Sequence, residues 1–138
     1  MLTEKQVEAS VRSYLIDKEW VMSNTPRSQG QHGVDIYAKR PKWGKYYYIE
    51  CKGDSKRDST RHDKIYHVLG QIMSRMNKKG NTPNSSRYYA IALPISMKKV
   101  FIRKVSNMQY SWRVLKLKTF WVSEDFKVEE VSSARLIF

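Results

Sequence analysis

His32-Gly33-Val34-Asp35-Ile36 and Tyr48-Ile49-Glu50-Cys51-Lys52-Gly53 are the two stretches whose reading decides the fold. Strand periodicity puts Tyr46, Tyr48, Glu50 and Lys52 on one face, so an acid and a base end that face side by side. Val34 to Lys39 alternates in the same way, with Val34, Ile36 and Ala38 opposite Asp35, Tyr37 and Lys39. Between the two runs, Arg40-Pro41-Lys42-Trp43-Gly44 carries turn chemistry. Such a short connection makes the strands antiparallel neighbours and brings Asp35 towards Glu50. Both acids sit in apolar surroundings, where an unpaired carboxylate is costly.

Two carboxylates converging at a sheet end form a hard, oxygen-rich site of the kind that Mg²⁺ or Mn²⁺ occupies. A lysine beside them supplies a positive charge for orienting water or stabilising a crowded phosphate. Those are the parts that phosphodiester hydrolysis requires. The plain structural alternative is a cross-strand ion pair between Lys52 and a carboxylate.

Outward from this pair, Thr3 and Gln6 form a capping box. The helix they open carries Val7, Val11, Tyr14 and Leu15 at helical spacing and is expected to reach about Lys18. Trp20 to Met22 reads as a short strand and Asn24 to Gly33 as a polar loop. After the Lys45–Lys52 strand, Gly53 to Arg61 is polar and reads as a mobile loop. A helix follows from about Asp63 to Lys78, with an apolar stripe of Ile65, Val68, Leu69, Ile72 and Met76. Lys64, His67, Gln71, Arg75 and Lys78 fall on its other side. Gly80 to Ser86 is a loop. Tyr88 to Leu93 is a buried strand stopped by Pro94, and Ser96 is the expected N-cap of a helix through about Val105. Lys118–Val122 and Phe126–Val131 form a closing hairpin turned at Glu124-Asp125. The expectation is a single α/β domain over residues 1–138, a central mixed sheet flanked by helices.

The Asp35 string and the Glu50-Cys51-Lys52 triplet resemble the PD-(D/E)XK nuclease superfamily, as does the order helix, three strands, helix, strand. The His-Gly-Val-Asp-Ile string is similar to the Holliday junction resolvase and Mrr-like branches. The chain departs from the pattern at Val34, where the family name has Pro, and in the polar stretch Asp54 to Arg61. The resemblance implies a restriction endonuclease-like fold. It makes Asp35 and Glu50 metal ligands, adds the Cys51 backbone carbonyl as a third contact, and makes Lys52 the catalytic lysine. Many members also place a glutamate on the first helix, and Glu8 is the candidate, with Glu4 its rival. Gln71 resembles a glutamine that some branches carry on the helix after the lysine strand.

Composition fits a nucleic-acid partner. The 138-residue chain has 26 Lys and Arg against 13 Asp and Glu, a net charge of +13. From Lys64 to Ser123 there are twelve basic residues and no acid, which is the footprint of a polyanion partner. Lys64, His67, Arg75, Lys78 and Lys79 are the expected DNA contacts. Tyr46 to Tyr48 supply either base-stacking surfaces or sheet packing. No apolar run is long enough for a bilayer, and residues 1–6 lack the apolar core of a secretory signal. The one cysteine gives no disulfide framework and fits a cytoplasmic setting. One cysteine and three histidines argue against structural zinc. There is no Walker-type phosphate loop or nucleophile elbow. Two functions follow from different classes: a Mg²⁺- or Mn²⁺-dependent DNA endonuclease, possible as a homodimer, and a non-catalytic DNA-binding module that keeps the fold.

Overall fold

A computed structural model describes residues 1–23 and 34–136. Helix α1 (Glu4–Asp17) opens on the capping box read from the sequence: Thr3 Oγ1 accepts the Gln6 N–H and Gln6 Oε1 accepts the Thr3 N–H. Strands β1 (Val21–Met22), β2 (Ile36–Arg40) and β3 (Lys45–Cys51) follow. β2 and β3 pair antiparallel, joined by a 3₁₀ turn over Pro41–Trp43 that closes at Gly44 with φ 62°. After β3 come α2 (Asp58–Arg75), β4 (Arg87–Pro94), α3 (Lys98–Ser106), α4 (Gln109–Leu115), β5 (Lys118–Val122), β6 (Val128–Val131) and the short α5 (Ser133–Leu136).

The six strands lie in sequence order in one sheet. β3, β4 and β5 pair parallel, and the outer pairs are antiparallel. Alternation along the strands feeds two cores. On one face, Val7, Val11 and Leu15 of α1 pack with Ile36, Ala38, Ile49, Ala90, Ala92 and Phe120. On the other, Ile65, Val68, Leu69 and Ile72 of α2 join Ile91, Leu93, Phe101, Trp112 and Trp121. β4 shows the division most clearly. Its alanines lie under α1, and its larger Ile91 and Leu93 fill the α2 face.

The fold is the expected α/β one, a mixed sheet flanked by helices. Several boundaries differ. α2 begins at Asp58, so the tail of the presumed loop Gly53–Arg61 is helical, and the rest is pinned. Asp54 is buried and receives Arg61 Nε at 2.9 Å and the Ser55 N–H at 2.7 Å. Burial raises its pKa, but hydrogen bonds from Arg61, Ser96 and Ser55 outweigh that and hold the carboxyl below its usual range. Ser96 is therefore not an N-cap: its hydroxyl donates to Asp54, and a 3₁₀ turn over Ile95–Met97 leads into α3. α2 ends at Arg75, so Lys78 lies past the helix rather than on its polar side. α4 and α5 were not expected. The loop expected over 24–33, His32 included, lies outside the described residues.

The tyrosine run is sheet packing. Tyr47 is buried against Trp20, Tyr88 and Phe120, and Tyr48 packs between Tyr37 and Tyr89. Among the described residues no helix is long and apolar enough to cross a membrane.

Candidate active site

The register Ile36↔Ile49 sets Asp35, just ahead of β2, beside the end of β3. There the Cys51 N–H donates to Asp35 Oδ2 at 2.8 Å. Glu50 lies on the α2 face of the same strand end, its side chain 2% exposed. Its carboxyl is raised to about 7, first by burial, then by the Asp35 charge and a hydrogen bond with Asp35, against the lowering effect of Arg75. Two carboxyl groups this close are costly to ionise together, so the pair retains a proton that an exposed pair would lose.

Arg75 was expected among the DNA contacts. Its Nε lies 3.4 Å from Glu50 Oε1 instead, reaching in from the last turn of α2. Gln71, one turn earlier, carries a buried Oε1 with no hydrogen-bond partner among the described residues. Lys64 is also turned inward, with Nζ donating to the carbonyls of Gly53 at 3.2 Å and Asp54 at 2.8 Å. The flank of α2 that reads as a solvated polar side in sequence thus faces the end of β3. His67, Lys78 and Lys79 are exposed.

Lys52 follows directly on β3. Its Nζ stands 3.6 Å from Glu4 Oε1, in the first turn of α1. Close packing makes that meeting possible. The Asp54 N–H donates to the Leu2 carbonyl at 2.9 Å, and a Cβ on Gly53 would fall 2.5 Å from Glu4 N. Glu8, the expected first-helix ligand, is bound by Arg12 Nη2 at 2.9 Å, and the same nitrogen donates to the Asp35 carbonyl at 2.8 Å. Sequence reading named neither Arg12 nor the Lys52–Glu4 pair. The only hint was Glu4 as a rival to Glu8.

The Cys51 side chain points the other way, into the α1 core. Burial first, and then Asp35, Glu8, Glu50 and Glu4, push its thiol well above the ordinary range. The thiol is therefore protonated at neutral pH and is no nucleophile.

Among the described residues no group of three or more His, Cys, Asp or Glu side chains is arranged to hold a metal. The donors brought together are the two carboxylates of Asp35 and Glu50. In kind they fit a hard divalent cation: their mutual repulsion and the burial of Glu50 are what a cation between them offsets.

The six-stranded mixed sheet flanked by helices is a restriction endonuclease-like α/β fold. Two solved structures share the fold. One is an XisH family protein from Nostoc punctiforme PCC 73102, with TM-score 0.63 and 19% identity over 91% of this chain and 98% of that one. The other is an fdxN element excision controlling factor protein from Anabaena variabilis, with TM-score 0.64 and 18% identity over 92% of this chain and 98% of that one. At such identities the likeness is one of fold. No family model and no curated protein sequence matches the chain.

Proposed function

We propose that the chain is a metal-dependent deoxyribonuclease of the PD-(D/E)XK type, an endonuclease acting in restriction, repair or junction processing. The observation that carries the reading is the convergence of Asp35 and Glu50 at one strand end with Lys52 two residues on. A binding surface for phosphate gains nothing from two carboxylates in contact. Mg²⁺ or Mn²⁺ would be held by Asp35, Glu50 and the Cys51 carbonyl, and would supply Lewis-acid polarisation of the phosphate and a more acidic water. Lys52 neutralises charge on the phosphate as it is attacked. Arg75 and Lys64 fix Glu50 and the Gly53–Asp54 turn. Arg12 holds Glu8 beside Asp35. Cleavage of plasmid DNA with Mg²⁺, abolished in both Asp35→Asn and Lys52→Ala, is the test; activity retained in either variant overturns the reading.

A second reading has its own support. Each proposed catalytic group already has a protein partner: Asp35 the Cys51 N–H, Glu50 Arg75, Lys52 Glu4 and Glu8 Arg12. One structural neighbour is an fdxN element excision controlling factor protein, a role compatible with a module that binds DNA and leaves cutting to another protein. In that case the carboxylate pair is a structural relic, and binding persists without metal or cleavage.

A further inference from the structure

The opposite flank of α2 carries a different chemistry. A cavity of about 360 Å³ lies between α2 and α3, lined by His62, Tyr66, Arg103, Lys104, Asn107 and Met108. Successive residues turn by about 100° around a helix, which puts His62 and Tyr66 across α2 from Lys64, Gln71 and Arg75. The cavity is therefore separate from the carboxylate site.

Lys104 is the unusual residue. It is 9% exposed, and lysine is almost never that buried unless paired. Among the described residues it makes no ion pair; its Nζ sits 3.6 Å from the centre of the Tyr66 ring. Cation–π attraction offsets part of the desolvation cost, but leaves the ammonium hydrogens without an anionic acceptor. His62 adds a second unmet group, a buried Nδ1 with no hydrogen-bond partner among the described residues. Arg103 and Asn107 complete the wall. Arg103 is 3.7 Å from Asp58, but both are well exposed, which makes that pair weak.

Lys104, Arg103, the Asn107 amide and an Nδ1–H tautomer of His62 are all donors. The complementary ligand offers only acceptors, carries negative charge and is compact. We infer that this cavity is a phosphate-binding site, occupied by a phosphate group as the free ion or as part of a nucleic-acid backbone. A carboxylate ligand would satisfy fewer donors, and a cation is excluded by the charge. The site does not depend on the nuclease reading: it binds whether or not the chain cuts DNA.

The experiment follows the His62 imidazole signals by NMR in the full chain, titrated with inorganic phosphate and, separately, with a short duplex DNA. Phosphate is expected to shift the His62 signals saturably, and Lys104→Gln to weaken that response by about tenfold or more, the cost of removing one side of a buried charge contact. If the backbone is the source, the duplex shifts the same signals, and Lys104→Gln lowers the salt slope of DNA binding by about one. A response to phosphate alone assigns the site to the free ion. Should Lys104→Gln not fold, His62→Gln and Arg103→Gln, at partly exposed positions, carry the same expectation in a binding titration. No saturable shift with either ligand, or an unchanged response in the variants, overturns the proposal. Asp35→Asn keeps the two claims apart, since it should stop cleavage and leave the His62 response intact.

Discussion

The carboxylate of Asp35 accepts the backbone N–H of Cys51 at 2.8 Å. This bond ties the residue before β2 to the end of β3 and holds the acid beside Glu50, with Lys52 directly after Cys51. An asparagine at 35 can still accept the N–H through its amide oxygen, but loses the charge. Asp35→Asn is therefore expected to melt within a few degrees of the parent, while plasmid cleavage falls below detection. Metal-free DNA affinity should stay the same or rise, because repulsion between carboxylate and phosphate is relieved. Wild-type cleavage together with a large drop in Tm would mark Asp35 as structural.

Glu50 gives a pH signature. Its folded pKa, about 7, lies above the ordinary 4.5, so the native state binds the proton more tightly than the unfolded chain. Its contribution to stability is fully present below about 4.5 and is lost as pH rises through about 7. In chelator, Tm should fall across that window, and Glu50→Gln should flatten the fall. Because a cation competes with the proton, Mg²⁺ should raise Tm more at about pH 8 than at about pH 6. Thermal melts with and without Mg²⁺ check this, and equal Mg²⁺ effects at both values would deny a metal at the pair.

Lys52 and Glu4 test which role the lysine holds. Glu4 is half exposed, and such pairs contribute about 0–1 kcal/mol. Glu4→Gln is expected to change Tm by little. Lys52→Ala should end cleavage with an equally small loss of stability. A fall of many degrees in Lys52→Ala, matched by Glu4→Gln, would show an ion pair kept for stability alone.

Gly53 is set by close approach. Its missing Cβ would meet the backbone of Glu4 at 2.5 Å and of Thr3 at 2.8 Å, and neither can swing aside as a side chain would. Gly53→Ala should cost about 1–3 kcal/mol. Since the same contact seats Glu4 near Lys52, the variant should also lower the rate of any cleavage. Denaturant unfolding reads the first effect; an unchanged midpoint would mean that the α1 start moves freely.

The basic residues proposed to meet DNA divide by exposure. Lys64 and Arg75 face inward to Gly53, Asp54 and Glu50, whereas Lys78 and Lys79 stand exposed past α2. Neutralising Lys78 and Lys79 together should reduce the salt slope of DNA binding by about two. Lys64→Gln should act chiefly through stability. Binding at several salt concentrations separates them, and an unaltered slope in the Lys78/Lys79 pair would place the DNA elsewhere.

The legible parts were those fixed by local physics. Thr3 and Gln6 marked the start of α1 because capping is satisfied within four residues. Period-two alternation gave β2, β3 and β4, and helical spacing gave the buried stripe of α2. Asp35 and Glu50 could be matched because a two-strand unit with a short turn determines which residues lie level. α4 and α5 escaped because they are short and lean on Trp112 and Leu136 packing rather than on any periodic stripe. The early start of α2 escaped because a charged, polar segment looks like loop until Asp54 is buried under Arg61 and Ser96.

The same division runs through the candidate site. Sequence alone determined which residue types stand at the end of β3, and the basic excess that fits a polyanion. It did not determine their partners. Arg75 on Glu50, Glu4 on Lys52, and Arg12 joining Glu8 to Asp35 depend on where α1 and α2 dock on the sheet. That docking is chosen by the apolar faces of the helices, which carry the burial energy, and the charged side chains on the flanks take whatever neighbours the docking brings.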